Sequence, residues 1–401
     1  MITKDQVKQF TFGIKVRGAY VQQPESARLI GIDAHRSIAS VDASSLYPSI
    51  MILSNISEET LVARLYDLEI VGKFFDLLKQ ALQADANTKT QIKHVFADAL
   101  QQQFQMFVKK EKPAKQKETL QINVEYYSRI FNTIIDSGYS FDQICEPVDD
   151  RSYYLLKSYL HPLLEALTWT SPYNRGYNNT LVKRAYFPEA YEKVKGAWIL
   201  DNIYSTRTKL IFLDKKALDE YLDRYLLNPF GTIFYRHKTK LAQDVHFLMQ
   251  ALDMRSHIKS EMIVLGQLIT NIENGNEDAL TFAKYLMNQE FDRIDQDLIE
   301  KAGLAKILRE KKIDDISSLQ IVINDDIIKS VETTIFFKNL KQLAAKIFAN
   351  TSFGIKGLLT FQFAAPILGN SITTGGKIYG IKLAQAAAAH VLDKHNRTPT
   401  Q

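Results

Sequence analysis

The chain has 401 residues, 46% of them apolar and 24% charged, with a formal net charge of +5. That length suffices for two or three domains with substantial cores, the composition is ordinary for a globular protein, and the mild basicity permits a polyanionic partner without requiring one. The single cysteine, Cys145, excludes an internal disulfide and a cysteine-rich zinc site and fits a reducing compartment.

No apolar run approaches the roughly 18 residues that span a bilayer, and Met1 to Lys8 lacks an apolar signal core. The expectation is no membrane partner and a cytoplasmic location, the host's cytoplasm if the chain is viral. Residues 1–60 read as strands and turns ending in one helix. Gly18-Ala19-Tyr20-Val21 starts a strand, Pro24 to Ala27 form a turn, and Ser37 to Val41 form a second strand leading into Asp42. A helix is expected from Pro48, giving way near Ser54-Asn55.

Residues 61–230 read as largely helical, with apolar residues at helical spacing from Leu68 to Leu82 and from Thr90 to Phe107. Lys109, Lys110, Lys112, Lys115 and Lys117 surround Pro113, a cluster that reads first as a solvated loop and second as a nucleic-acid contact. Tyr153-Tyr154 and Trp169 to Tyr173 are expected mostly in a core. Residues 237–273 and 327–352 read as two long helices, joined by helical pieces after a break at Gly275. The chain then reads as irregular through Gly369-Asn370, and 372–395 as a last helix.

Two stretches carry candidate chemistry. Asp42-Ala43-Ser44-Ser45-Leu46-Tyr47-Pro48-Ser49 places a carboxylate at a strand end, beside backbone N–H groups freed by a turn. That arrangement suits a divalent ion carrying a phosphorylated ligand; it also fits a solvated Asp before a Pro-initiated helix. Arg255 and Lys259 are four residues apart on one long helix, as are Lys346 and Asn350 on the other. If the helices run antiparallel, three cations and an amide converge as a triphosphate site; otherwise these are exposed faces with solvated charges.

The first stretch resembles the first catalytic motif, Asp-x-x-Ser-Leu-Tyr-Pro-Ser, of family B DNA polymerases. Lys346-Ile347-Phe348-Ala349-Asn350-Thr351-Ser352-Phe353-Gly354 resembles the fingers motif Lys-x-x-x-Asn-Ser-x-Tyr-Gly, with Thr351 for Ser and Phe353 for Tyr. Arg255 and Lys259 resemble the triphosphate pair of the first fingers helix, and Gly231 to Lys238 the strand and turn before it. Gly18-Ala19-Tyr20 resembles the template-contacting motif, and Asn55 to Thr60 the sequence that follows the first motif in T-even phage replicases. Ile372 to Gly376 resembles the helix start beyond the fingers. These elements keep the family order and cover roughly half the chain.

The resemblance implies roles. Asp42 would ligate both Mg²⁺ ions of a two-metal site and, with Lys346, carry catalysis. Backbone N–H groups from Ala43 to Leu46, including Ser45, would cradle phosphates, and Tyr47 would stack on the deoxyribose and exclude a 2′-hydroxyl. Arg255, Lys259 and Lys346 would neutralise the dNTP and Asn350 would orient it. Phe353 and Gly354 would pack against the nascent base pair, although Phe353 has no hydroxyl to donate, and Gly18, Ala19 and Tyr20 would touch template.

The second catalytic segment of the family, Asp-Thr-Asp-Ser, does not occur in the sequence, nor do an exonuclease domain or a thumb. The expectation is therefore a split enzyme, in which a separate chain brings the second carboxylate, the thumb and the exonuclease to primer–template DNA. The alternative is a non-catalytic DNA- or partner-binding remnant that keeps the fold. The implied architecture is α+β: an incomplete antiparallel palm sheet in 1–60, a helical insertion over 61–230, a fingers hairpin over 231–357 and a palm helix within 358–401.

Overall fold

A computed structural model describes residues 45–108, 113–171, 173, 176–324, 326–357 and 365–396. The strands expected at Gly18–Val21 and Ser37–Val41, the residues Gly18, Ala19, Tyr20 and Asp42, and Lys109, Lys110 and Lys112 lie outside the described residues. Among the described residues the protein is α-rich with one small antiparallel sheet, an α+β fold.

Helix α1 (Leu46–Leu53) ends where Asn55 adopts a left-handed φ of 51°. Strand β1 (Leu61–Asp67) follows, and then the helices α2 (Leu68–Gln83), α3 (Ala86–Val108) and α4 (Pro113–Ile135). Short α5 (Phe141–Cys145) and α6 (Asp150–Tyr154) each start with a full capping box, at Ser140 and Asp149. A π turn, Leu155–Leu160, leads from α6 into α7 (His161–Thr170). Pro162 cannot donate a helical hydrogen bond, and the wider turn before it absorbs the break. Helices α8 (Asn179–Tyr186) and α9 (Pro188–Tyr191) lead to β2 (Gly196–Asp201), β3 (Lys209–Asp214), α10 (Lys215–Leu222), β4 (Leu226–Leu227) and β5 (Thr232–Phe234).

The sheet order is β3-β2-β1-β5-β4, every pair antiparallel. Strands β1 to β4 fall inside the stretch expected to be a helical insertion, and β5 lies just beyond it. The reason is visible in β1, which is buried along its whole length and so shows none of the in–out alternation that marks a half-exposed strand. Leu65, Ile199, Leu218, Leu222 and Ile233 form the core under the sheet. The expected core position of the aromatics holds for Trp169, 4% exposed, but not for Tyr154 and Tyr173, both more than half exposed.

The long helices are α11 (Gln243–Glu273) and α15 (Ile327–Gly357), with α12 (Glu277–Asn288), α13 (Gln296–Lys301) and α14 (Ala305–Lys311) between them. Helix α11 starts at Gln243 rather than 237, because side chains of the Asn55–Thr60 loop hold the preceding residues in a turn. Asn55 donates to the carbonyls of Tyr235 and Lys240 and accepts from the Ala242 N–H, while Glu59 accepts from the Gln243 N–H. Helix α16 (Pro366–Asn396) starts six residues before the expected 372, with Pro366 at its first position, where a missing N–H costs nothing. The chain divides into two units: His246–Ser352 forms one, and the residues before and after it form the other. Leu265, Leu268, Phe282, Leu286, Leu304 and Leu319 build the core of the His246–Ser352 unit.

Candidate functional site

Tyr47 is the second residue of α1, and its ring lies 4.4 Å from that of Phe353, tilted by 31°. The two rings come from the two stretches singled out above. Gly376 on α16 lies against the same tyrosine: a Cβ there would stand 3.1 Å from Tyr47 Cε1. A Cβ on Gly375 would meet Ile50 Cγ2 at 2.7 Å, so α16 approaches α1 at a distance only glycine allows. At Gly354, by contrast, an added Cβ would meet nothing within 4 Å. Burial raises the Tyr47 hydroxyl above its ordinary pKa, so the ring stays neutral at physiological pH.

Ser45 precedes α1 in the left-handed region, φ 56° and ψ 44°. A non-glycine residue held there is uncommon. A left-handed residue followed by right-handed ones turns successive N–H groups to one side, the geometry of an anion-binding nest. Leu46 is half-buried as the first residue of α1.

The other candidates belong to the His246–Ser352 unit. Arg255 Nε donates to Gln342 Oε1 at 3.2 Å, and Lys338 Nζ reaches Glu261 Oε2 at 2.7 Å. Residue numbers rise along α11 as they fall along α15, so the helices are antiparallel. Gln342, Lys346 and Asn350 recur every four residues on one side of α15, the side nearest Arg255. Measured along the helix axes alone, the four candidates follow in the order Lys259, Arg255, Lys346, Asn350, with about 6 Å of rise between successive ones. A triphosphate placed at Arg255 and Lys346 would have Lys259 and Asn350 at its two ends. Lys259, Lys346 and Asn350 are exposed, and Arg255 is half-buried.

The expected Mg²⁺ ligand, Asp42, lies outside the described residues. Among the described residues no three His, Cys, Asp or Glu side chains stand together to hold a metal ion.

Sequence reasoning missed a buried polar cluster at the sheet. Arg64 points from β1 into the interior and is 1% exposed. Its Nε donates to Glu165 Oε1 at 2.7 Å, Nη1 donates to the Phe230 carbonyl, and the guanidinium lies 4.1 Å from the Phe230 ring. Tyr66 donates to the same carboxylate at 2.9 Å. Burial alone would raise the Glu165 carboxyl, but the Arg64 guanidinium outweighs it and holds that group below its usual range. Gly231, with φ 105°, leaves room for this arrangement: a Cβ would stand 2.1 Å from Arg64 Nη1. A lone arginine in an apolar strand with a distant glutamate carries no sequence spacing that announces the pair.

Among the described residues no helix is long and apolar enough to cross a membrane. Comparison with known protein families, with curated proteins and with solved structures finds no match to this chain.

Proposed function

We propose that the chain is the palm–fingers part of a family B DNA polymerase that binds dNTP and Mg²⁺ for template-directed synthesis on primer–template DNA. The observation that carries this reading is the meeting of Tyr47, Phe353 and Gly376. Three stretches far apart in sequence, each matching a different motif of the family in its order, converge on one ring. Tyr47 is the floor for the deoxyribose, Phe353 extends that floor beneath the base pair, and the open space over Gly354 leaves room for the pair.

In this reading the triphosphate lies along Arg255 and Lys346. Arg255 offers a planar fork to two phosphate oxygens, and Lys346 a point charge where negative charge builds on the leaving group. Two-metal transfer needs a second carboxylate in addition to Asp42. In this reading an Asp-Thr-Asp-Ser segment outside these 401 residues brings it.

The test is sugar discrimination by the enzyme reconstituted with a polypeptide that carries that segment. Tyr47→Ala removes the ring against which a 2′-hydroxyl would clash, so ribonucleotide incorporation should rise by about a hundredfold or more, or roughly 2.7 kcal/mol of lost discrimination. Unchanged discrimination would leave Tyr47 a packing residue and remove the main support for the reading.

A further inference from the structure

The outer face of α15 carries an apolar seam that nothing in the polymerase reading uses. Phe336, Leu340, Leu343 and Ile347 are spaced 4-3-4, the heptad spacing of a helix that packs on another helix. They are 58%, 46%, 42% and 58% exposed. The face that packs within the unit is a different one, marked by Thr334, Ala345 and Ala349 and by the Lys338–Glu261 pair. Phe337 and Phe348, about half exposed, widen the seam on one side. From Phe336 to Ile347 it runs about 16 Å. A contiguous apolar strip of this kind on a folded surface marks an interaction site.

Charge says what fits it. Lys341 borders the seam on the side of Phe348, and Lys346 borders it on the other. Between Thr333 and Gly357 there is no Asp or Glu. A second copy of this chain would bring basic borders to basic borders with no acid to answer them. Residues 1–44, with six basic and four acidic side chains, have the same sign of excess.

We infer that α15 docks an amphipathic helix of a partner protein, with leucine-like residues at heptad spacing and acidic residues flanking them. The inference rests on the seam and its lysine borders; of these only Lys346 also belongs to the polymerase reading, and the test variants leave it in place. The contact is short, about two heptads, so it fits a reversible partner whose affinity falls with salt.

The probe is a labelled three-heptad peptide with Leu at the seam positions and Glu flanking them, too self-repulsive to pair with itself. Its control carries Lys in place of Glu. Titrated into the full chain, the acidic peptide should bind saturably and at least about tenfold more tightly than the basic one, a difference of ~1.4 kcal/mol. Amide exchange should slow over 336–348. Leu340→Glu with Leu343→Glu should abolish binding without lowering the melting temperature, because both side chains are already half exposed. Lys341→Glu should shift preference toward the basic peptide. Equal binding of both peptides, unchanged binding by the double variant, or slowing confined to other segments would overturn the inference. Self-association of the chain, or its adsorption to anionic vesicles, would also overturn it if the double variant removes either and the peptide does not bind.

Discussion

Gly354 and His161 show how single positions separate function from stability. A Cβ at Gly354 meets no neighbour within 4 Å, and the residue lies inside helix α15. Gly354→Ala should therefore stabilise the chain by about 0.5–1 kcal/mol, through a less flexible unfolded state. The same methyl group enters the space assigned to the nascent base pair, so primer extension by the reconstituted enzyme should fall. A thermal melt and an extension assay on one preparation check both signs; a variant that is more stable and fully active would contradict the assignment of Gly354. His161 lies 3.9 Å from Glu165, with Nε2 making no hydrogen bond. Desolvation by burial lowers its pKa from 6.5 to about 4, against the pull of Glu165. Between those values the unfolded chain takes up a proton that the folded chain refuses, so stability should fall as pH drops from 6.5 toward 4. The loss is at most about 3 kcal/mol, and less in practice because the ring is one-fifth exposed. His161→Leu should flatten urea midpoints over that range. An equally steep fall in the variant would place the pH dependence on another group.

At the scale of elements, sequence pattern was most informative where periodicity is strong and least where burial is complete. The long helices α11 and α15 and the α1 helix follow from helical spacing and from Pro48. The sheet was hidden at β1, which is buried on both faces, and at β4, which is only two residues long, whereas β5 falls within Gly231–Lys238, read as a strand and turn. The Asn55–Thr60 loop was matched by resemblance, yet its physical task emerged only in the fold: it ends α1 and starts α11. The Tyr47–Phe353 contact was likewise not written in either stretch alone, because nothing local in sequence says which distant ring a tyrosine meets. Asn55 makes three hydrogen bonds with backbone groups of residues 235–242, at 2.9, 2.7 and 3.1 Å. Asn55→Ala leaves those groups unpaired and forces a residue that tolerates left-handed φ less well, so it should cost about 2–4 kcal/mol. A denaturant midpoint shifted by less than a third of that would mean the loop is held by other contacts.

For the whole molecule, the proposal rests on two groups of residues, each within its own compact unit. In the proposed reading, α1, Phe353 and α16 offer the sugar and base-pair floor, and α11 and α15 carry the triphosphate line. The alternative, a remnant that binds without catalysing, would keep the fold and the α15 seam but lose any need for Asp42. The most direct test is Mg²⁺-dependent primer extension by the purified chain, alone and with the polypeptide that carries Asp-Thr-Asp-Ser. The account predicts no extension by the chain alone, extension with the second polypeptide, and none when Asp42→Ala replaces the native chain. Extension that survives Asp42→Ala, or a pair that binds primer–template and never extends it, would contradict it.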